Sequence, residues 1–90
     1  MDKYFDRDGK PITYMQWMGL MSAGNGVART EFDGGSVSTI WLGNDHGAGD
    51  GALFETAVFY DDIDRRNDTY RWKTLAEAEV GHARVVKEVS

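Results

Sequence analysis

The sequence predicts an α+β domain, an antiparallel β-sheet of three to five strands with two helices. Strand-like apolar runs at Val27–Phe32, Val37–Leu42 and Ala52–Tyr60 are one reason, the first two being joined by the hairpin signal Asp33-Gly34-Gly35. The other is a pair of helical stripes, one near each end, each preceded by the Thr-x-x-Gln/Glu spacing of a capping box. No repeat, low-complexity tract or linker divides the 90 residues, so one domain over 1–90 is expected.

Tyr4 to Asp6 reads as a short edge strand, ended by Asp8-Gly9 and Pro11. Thr13 and Gln16 open the first helix, and Tyr14, Trp17, Met18 and Met21 follow at i, i+3, i+4, i+7. Gly24-Asn25-Gly26 closes it. Met15 and Leu20 make this helix apolar nearly all round, so it is either sandwiched or meets a second chain. The segment Asp61 to Asp68 is polar and turn-like, and Tyr70 to Trp72 adds a short strand. Thr74 and Glu77 open the second helix, which runs to about Val89.

Composition narrows the functional classes. Apolar residues make up 41% and charged residues 28%, as in an ordinary soluble domain. Fifteen acids against ten bases give a formal charge of −5, which argues against a nucleic-acid polymer as partner. The charge is compatible with a small nucleotide held by one or two arginines, and Arg29 is one candidate beside Arg65, Arg66 and Arg71. Without cysteine there is no disulfide, thiolate nucleophile or Cys-based zinc site. No apolar run reaches membrane-spanning length and no signal core opens the chain, so a cytoplasmic location is expected.

Two polar residues fall on apolar faces. A two-residue turn after Phe32 places Ala28, Thr30 and Phe32 on one face with Val37, Thr39 and Trp41. If Leu42 stands near Ala52, then Leu53, Glu55, Ala57 and Phe59 join that face, with Glu55 in its middle. One extra residue in the intervening loop swaps these faces. On the second helix, His82 lies in the centre of the stripe Leu75, Ala78, Val85, Val86, Val89. Glu55 and His82 are therefore expected either to approach each other or to line a solvated cavity. The other sheet face, with Arg29, Ile40, Phe54 and Tyr60 among its residues, reads as an oligomer interface or groove, or as a surface covered by the first helix.

The loop from Gly43 to Gly51 concentrates candidate binding groups, because its glycines permit close backbone approach and Asn44, Asp45, His46 and Asp50 supply polar atoms. Gly47 to Ala52 matches G-x-G-x-x-A but leads into a strand, which lacks the helix N-terminus a pyrophosphate needs. EF-hand spacing is missing, and no metal site or cofactor is assigned. Acid–base candidates are His46 with Asp45 or Asp50, and His82 with Glu55. No serine stands in a nucleophile motif, so no catalytic residue is assigned.

The segments YFDRDGKPI (Tyr4–Ile12), VSTIWLGNDHGAGDG (Val37–Gly51) and ALFETAVF (Ala52–Phe59), with Ala78, Gly81 and His82, resemble a family of small uncharacterised proteins of actinobacteria and their phages. Ala52 stands where that family usually has proline. At the level of class, the chain is similar to phage-encoded sponges of nucleotide immune signals, of the Sequestin and Lockin type. That resemblance implies a non-enzymatic protein sequestering a cyclic ADP-ribose-like signal against host immunity, in the host cytoplasm if phage-encoded, and as a homo-oligomer. Trp41, Phe54 or Trp72 would stack the base; Asn44, Asp45 and His46 would bind ribose or phosphate; Arg29 would neutralise charge, with Glu55 and His82 nearby. The alternatives are a protein–protein inhibitor module and a small hydrolase using His46 or His82 with a carboxylate.

Overall fold

The computed structural model describes residues 3–44 and 51–90. Strands β1 (Tyr4–Phe5) and β2 (Pro11–Ile12) form a small hairpin, followed by helix α1 (Tyr14–Ser22). Strands β3 (Gly26–Phe32), β4 (Gly35–Trp41), β5 (Phe54–Tyr60) and β6 (Asp68–Trp72) form an antiparallel meander, and α2 (Leu75–Val89) packs across its strands. The architecture is α+β, with two helices and two antiparallel sheets. The short second strand Pro11–Ile12 is an addition to the expected single edge strand, and β6 begins two residues before Tyr70.

Both helix starts follow from their capping residues. The Thr13 hydroxyl accepts from the Gln16 N–H while the Gln16 side chain accepts from the Thr13 N–H, a complete capping box. Thr74 likewise accepts from the Glu77 N–H, but the Glu77 carboxylate reaches one residue further, to the Lys73 N–H.

The register of β4 against β5 differs from the sequence expectation by one residue. Trp41 faces Phe54, Thr39 faces Thr56 and Val37 faces Val58. Beyond Trp41 the N–H groups of Leu42 and Gly43 both donate to the Leu53 carbonyl, so two residues face one, as in a β-bulge. Such an insertion exchanges the faces of everything downstream. Phe54, Thr56 and Val58 consequently point under α2, and Glu55 faces the other way, opposite Ile40 and Arg71. Gly43 makes the bulge sterically possible: its φ is +73°, and a Cβ there would collide with the indoles of Trp17 and Trp41.

The core has two apolar centres. Trp41, Leu53, Phe54 and Ala78 form one, with Phe5, Trp17, Met21, Val27, Trp72 and Leu75 packed around it. Val37, Val58 and Val85 form the other, flanked by Phe32, Tyr60, Val86 and Val89. α1 does not cover the sheet. It is anchored by Trp17, whose indole N–H donates to the Leu42 carbonyl at 2.9 Å and whose ring meets Tyr4 and Tyr14.

Candidate functional site

His82 lies between the two apolar centres, and the sheet beneath it is threaded with hydroxyls. Its Nε2 is 3.0 Å from Thr30 Oγ1 and its Nδ1 is 2.7 Å from Thr39 Oγ1. Thr39 Oγ1 is 2.5 Å from Thr56 Oγ1, which accepts from the Trp72 indole N–H at 2.9 Å. The indole is donor-only, so one polarity gives the connecting hydroxyls acceptors within the chain. Trp72 donates to Thr56, Thr56 to Thr39, Thr39 to His82 Nδ1, and the Nε2–H of His82 to Thr30. His82 is 6% exposed, and burial pushes its pKa below the ordinary histidine value. A neutral imidazole is what this polarity requires.

These contacts replace the expected approach of Glu55 to His82. Glu55 stands on the opposite face of β5, so His82 has two hydroxyls and no carboxylate from Glu55 as orienting partner. The hydrolase arrangement of His82 with Glu55 is not present. Periodicity locates His82 on the buried stripe and the first hairpin puts Thr30 and Thr39 on the facing side; the one-residue register difference brings Thr56 to that side as well.

The remaining candidates scatter. Trp41 and Phe54 are fully buried in the apolar core and have no face that a base could reach. Arg29 is exposed on the outer strand β3, 3.7 Å from Glu31. Asn44 is half-buried at the end of the described segment. Asp45 and His46, with Asp50, lie outside the described residues, and with them the proposed loop receptor.

Of the aromatic candidates, Trp72 lines a hollow among the described residues. Trp72, Ala76, Glu77, Val80, Gly81 and Arg84 line an open depression of about 500 Å³ between β6 and α2. Tyr70 stacks beside Trp72, ring centroids 6.2 Å apart at 13°, and the Arg84 guanidinium lies 5.8 Å from the Trp72 ring. Gly81 shapes this hollow, since a side chain there would occupy the position of the indole. Sequence reasoning missed Arg84, although its place two residues beyond His82 on α2 put it on the flank of the buried stripe. A second hollow, near the β3–β4 turn, is lined by Asp33, Asp62 and Glu88 with Arg65, a charge balance that disfavours anions.

Helix α1 is an apolar feature on the outside of the molecule. None of its residues is buried, it carries no charge, and Tyr14, Met15, Met18 and Leu20 are exposed, Met15 to 76%. Among the described residues no group of His, Asp and Glu is arranged to hold a metal ion, and no helix is long and apolar enough to cross a membrane. No family model, curated protein or solved structure matches this chain.

Proposed function

We propose that the protein is a non-enzymatic binding module that engages an apolar groove on another protein through α1. One observation carries this reading: an uncharged helix, capped at Thr13 and tied down by Trp17, presents Tyr14, Met15, Met18 and Leu20 to the outside. Exposed apolar surface on a secured helix is the pattern of helix-in-groove recognition, and methionines let such a face adapt to its receptor. A photo-crosslinking residue at Met15 should give one discrete adduct in cells, abolished by Met18→Glu one turn along the same face, whereas the same residue at Ala83 should give none. Equal adducts from both positions would refute an α1-directed module.

A second reading, sequestration of a small nucleotide signal, is supported by the Tyr70–Trp72–Arg84 arrangement. It offers an aromatic flank and a cation beside an open hollow. Such a role fits a phage-type anti-defence protein acting in the host cytoplasm. Incubation with cyclic ADP-ribose-like nucleotides, removal of free ligand and heat release should recover intact nucleotide from the wild type and none from Arg84→Glu. Retention that survives Arg84→Glu but is lost in His46→Ala would move the site to the 43–51 loop. Recovery of altered nucleotide would mean catalysis.

A further inference from the structure

β3 is an outer strand of the four-stranded sheet, so no strand pairs with its outward side, although Arg7 donates to the Gly26 carbonyl at its start. Phe32 and Gly35 close the β3–β4 hairpin as directly facing residues across a two-residue turn. From that closing pair, the alternation of antiparallel hydrogen bonding turns the N–H and C=O of Glu31 and Arg29 away from β4. The strand has neither proline nor lysine, and its one irregularity, between Gly26 and Ala28, lies at its start and leaves Arg29 to Phe32 in regular register. Its charged side chains are Arg29 and Glu31, 62% and 79% exposed, 3.7 Å apart and two residues apart on the same face.

We infer that β3 pairs with β3 of a second copy of this chain, antiparallel, about a two-fold axis through Thr30. In that register Arg29 of each copy faces Glu31 of the other, and both pairs exchange their outward N–H and C=O groups. Thr30 faces Thr30, and on the α2 side Phe32 of one copy meets Ala28 of the other. The charges select this register over its neighbours. A two-fold axis perpendicular to the sheet keeps faces matched, so allowed registers differ by steps of two in the summed residue numbers. The next register on one side sets Arg29 against Arg29, and on the other Glu31 against Glu31. β6, the other outer strand, has no equivalent: Asp68 and Arg71 lie on opposite faces and cannot oppose each other across such an axis. The product is a closed isologous dimer with an eight-stranded continuous sheet, four strands from each copy.

Sedimentation and light scattering across micromolar concentrations test this pairing. The wild type should be a dimer. Arg29→Glu and Glu31→Arg should each raise the dimer dissociation constant on the order of tenfold or more, because each sets two like pairs face to face. An equimolar mixture of the two variants should restore the dimer as a heterodimer, since every charge then meets its opposite. Circular dichroism should show each variant folded, both side chains being exposed. A monomeric wild type, a dimer indifferent to both variants, or a mixture that stays monomeric would each overturn the pairing. Met18→Glu on α1 should leave the dimer intact, so this result is independent of the α1 reading.

Discussion

The Nδ1 of His82 lies 2.7 Å from the Thr39 hydroxyl, a bond between the middle of α2 and the middle of β4. Thr39 is fully buried and also meets Thr56, so this hydroxyl joins two otherwise separate hydrogen bonds. Thr39→Val keeps the shape and removes the junction, leaving His82 Nδ1 without its donor and the Thr56 O–H without its acceptor. It should cost on the order of 1–3 kcal/mol in urea unfolding, and Thr39→Ser should recover much of the loss. Equal stabilities for valine and threonine would mean that the polar chain is dispensable.

Acid should weaken the fold through the same histidine. Burial holds the His82 pKa below 6.5, and its two partners are the hydroxyls of Thr30 and Thr39. As pH falls through the unfolded chain's value, the unfolded state takes up a proton that the folded state refuses, so stability falls. The loss begins below about pH 7.5 and levels off once pH drops below the folded value. Denaturation of the wild type and His82→Gln between about pH 7.5 and 5.5 should show a steeper decline in the wild type. Parallel curves would assign the acid sensitivity elsewhere.

Gly81→Ala should destabilise the protein even though alanine is the better helix former by about 1 kcal/mol. The new methyl would meet the Trp72 indole, which cannot retreat without breaking its bond to Thr56. Overpacking of about 1–3 kcal/mol outweighs the helical gain. A melting temperature raised by the substitution would show that Trp72 moves freely.

The β4–β5 register has its own test at Glu55. With Glu55 outside and Phe54 inside, Glu55→Gln should change stability by no more than about 0.5 kcal/mol. Phe54→Ala should cost about 3–5 kcal/mol, enough to unfold much of the population of a small domain. The reverse order of effects would support the register with Glu55 in the core.

Much of the framework was legible from local pattern. Asp33-Gly34 forced a tight hairpin, which set Thr30 opposite Val37 and put Thr39 on the buried face. Thr13 and Gln16 announced α1, and the period of Leu75, Ala78, His82 and Val85 put the imidazole on the inner side of α2. The candidate site was less legible. Trp41 and Phe54 look alike as core and as stacking residues in one dimension, and only packing assigned them to the core. Arg84 gains meaning from Trp72 lying beneath it, a neighbour supplied by a different element.

By itself the sequence determined the α+β class, both helices with their caps, and the first hairpin, because turn chemistry and hydrophobic period act over a few neighbouring residues. Tertiary structure decided what stands beside His82, which way Glu55 points, and that α1 is left uncovered. Those outcomes hang on one extra residue at Leu42–Gly43 and on the volume the tryptophans fill. A strand has two faces and a one-residue shift exchanges them, so an alternating pattern cannot choose its own inside until the partner strand is in place.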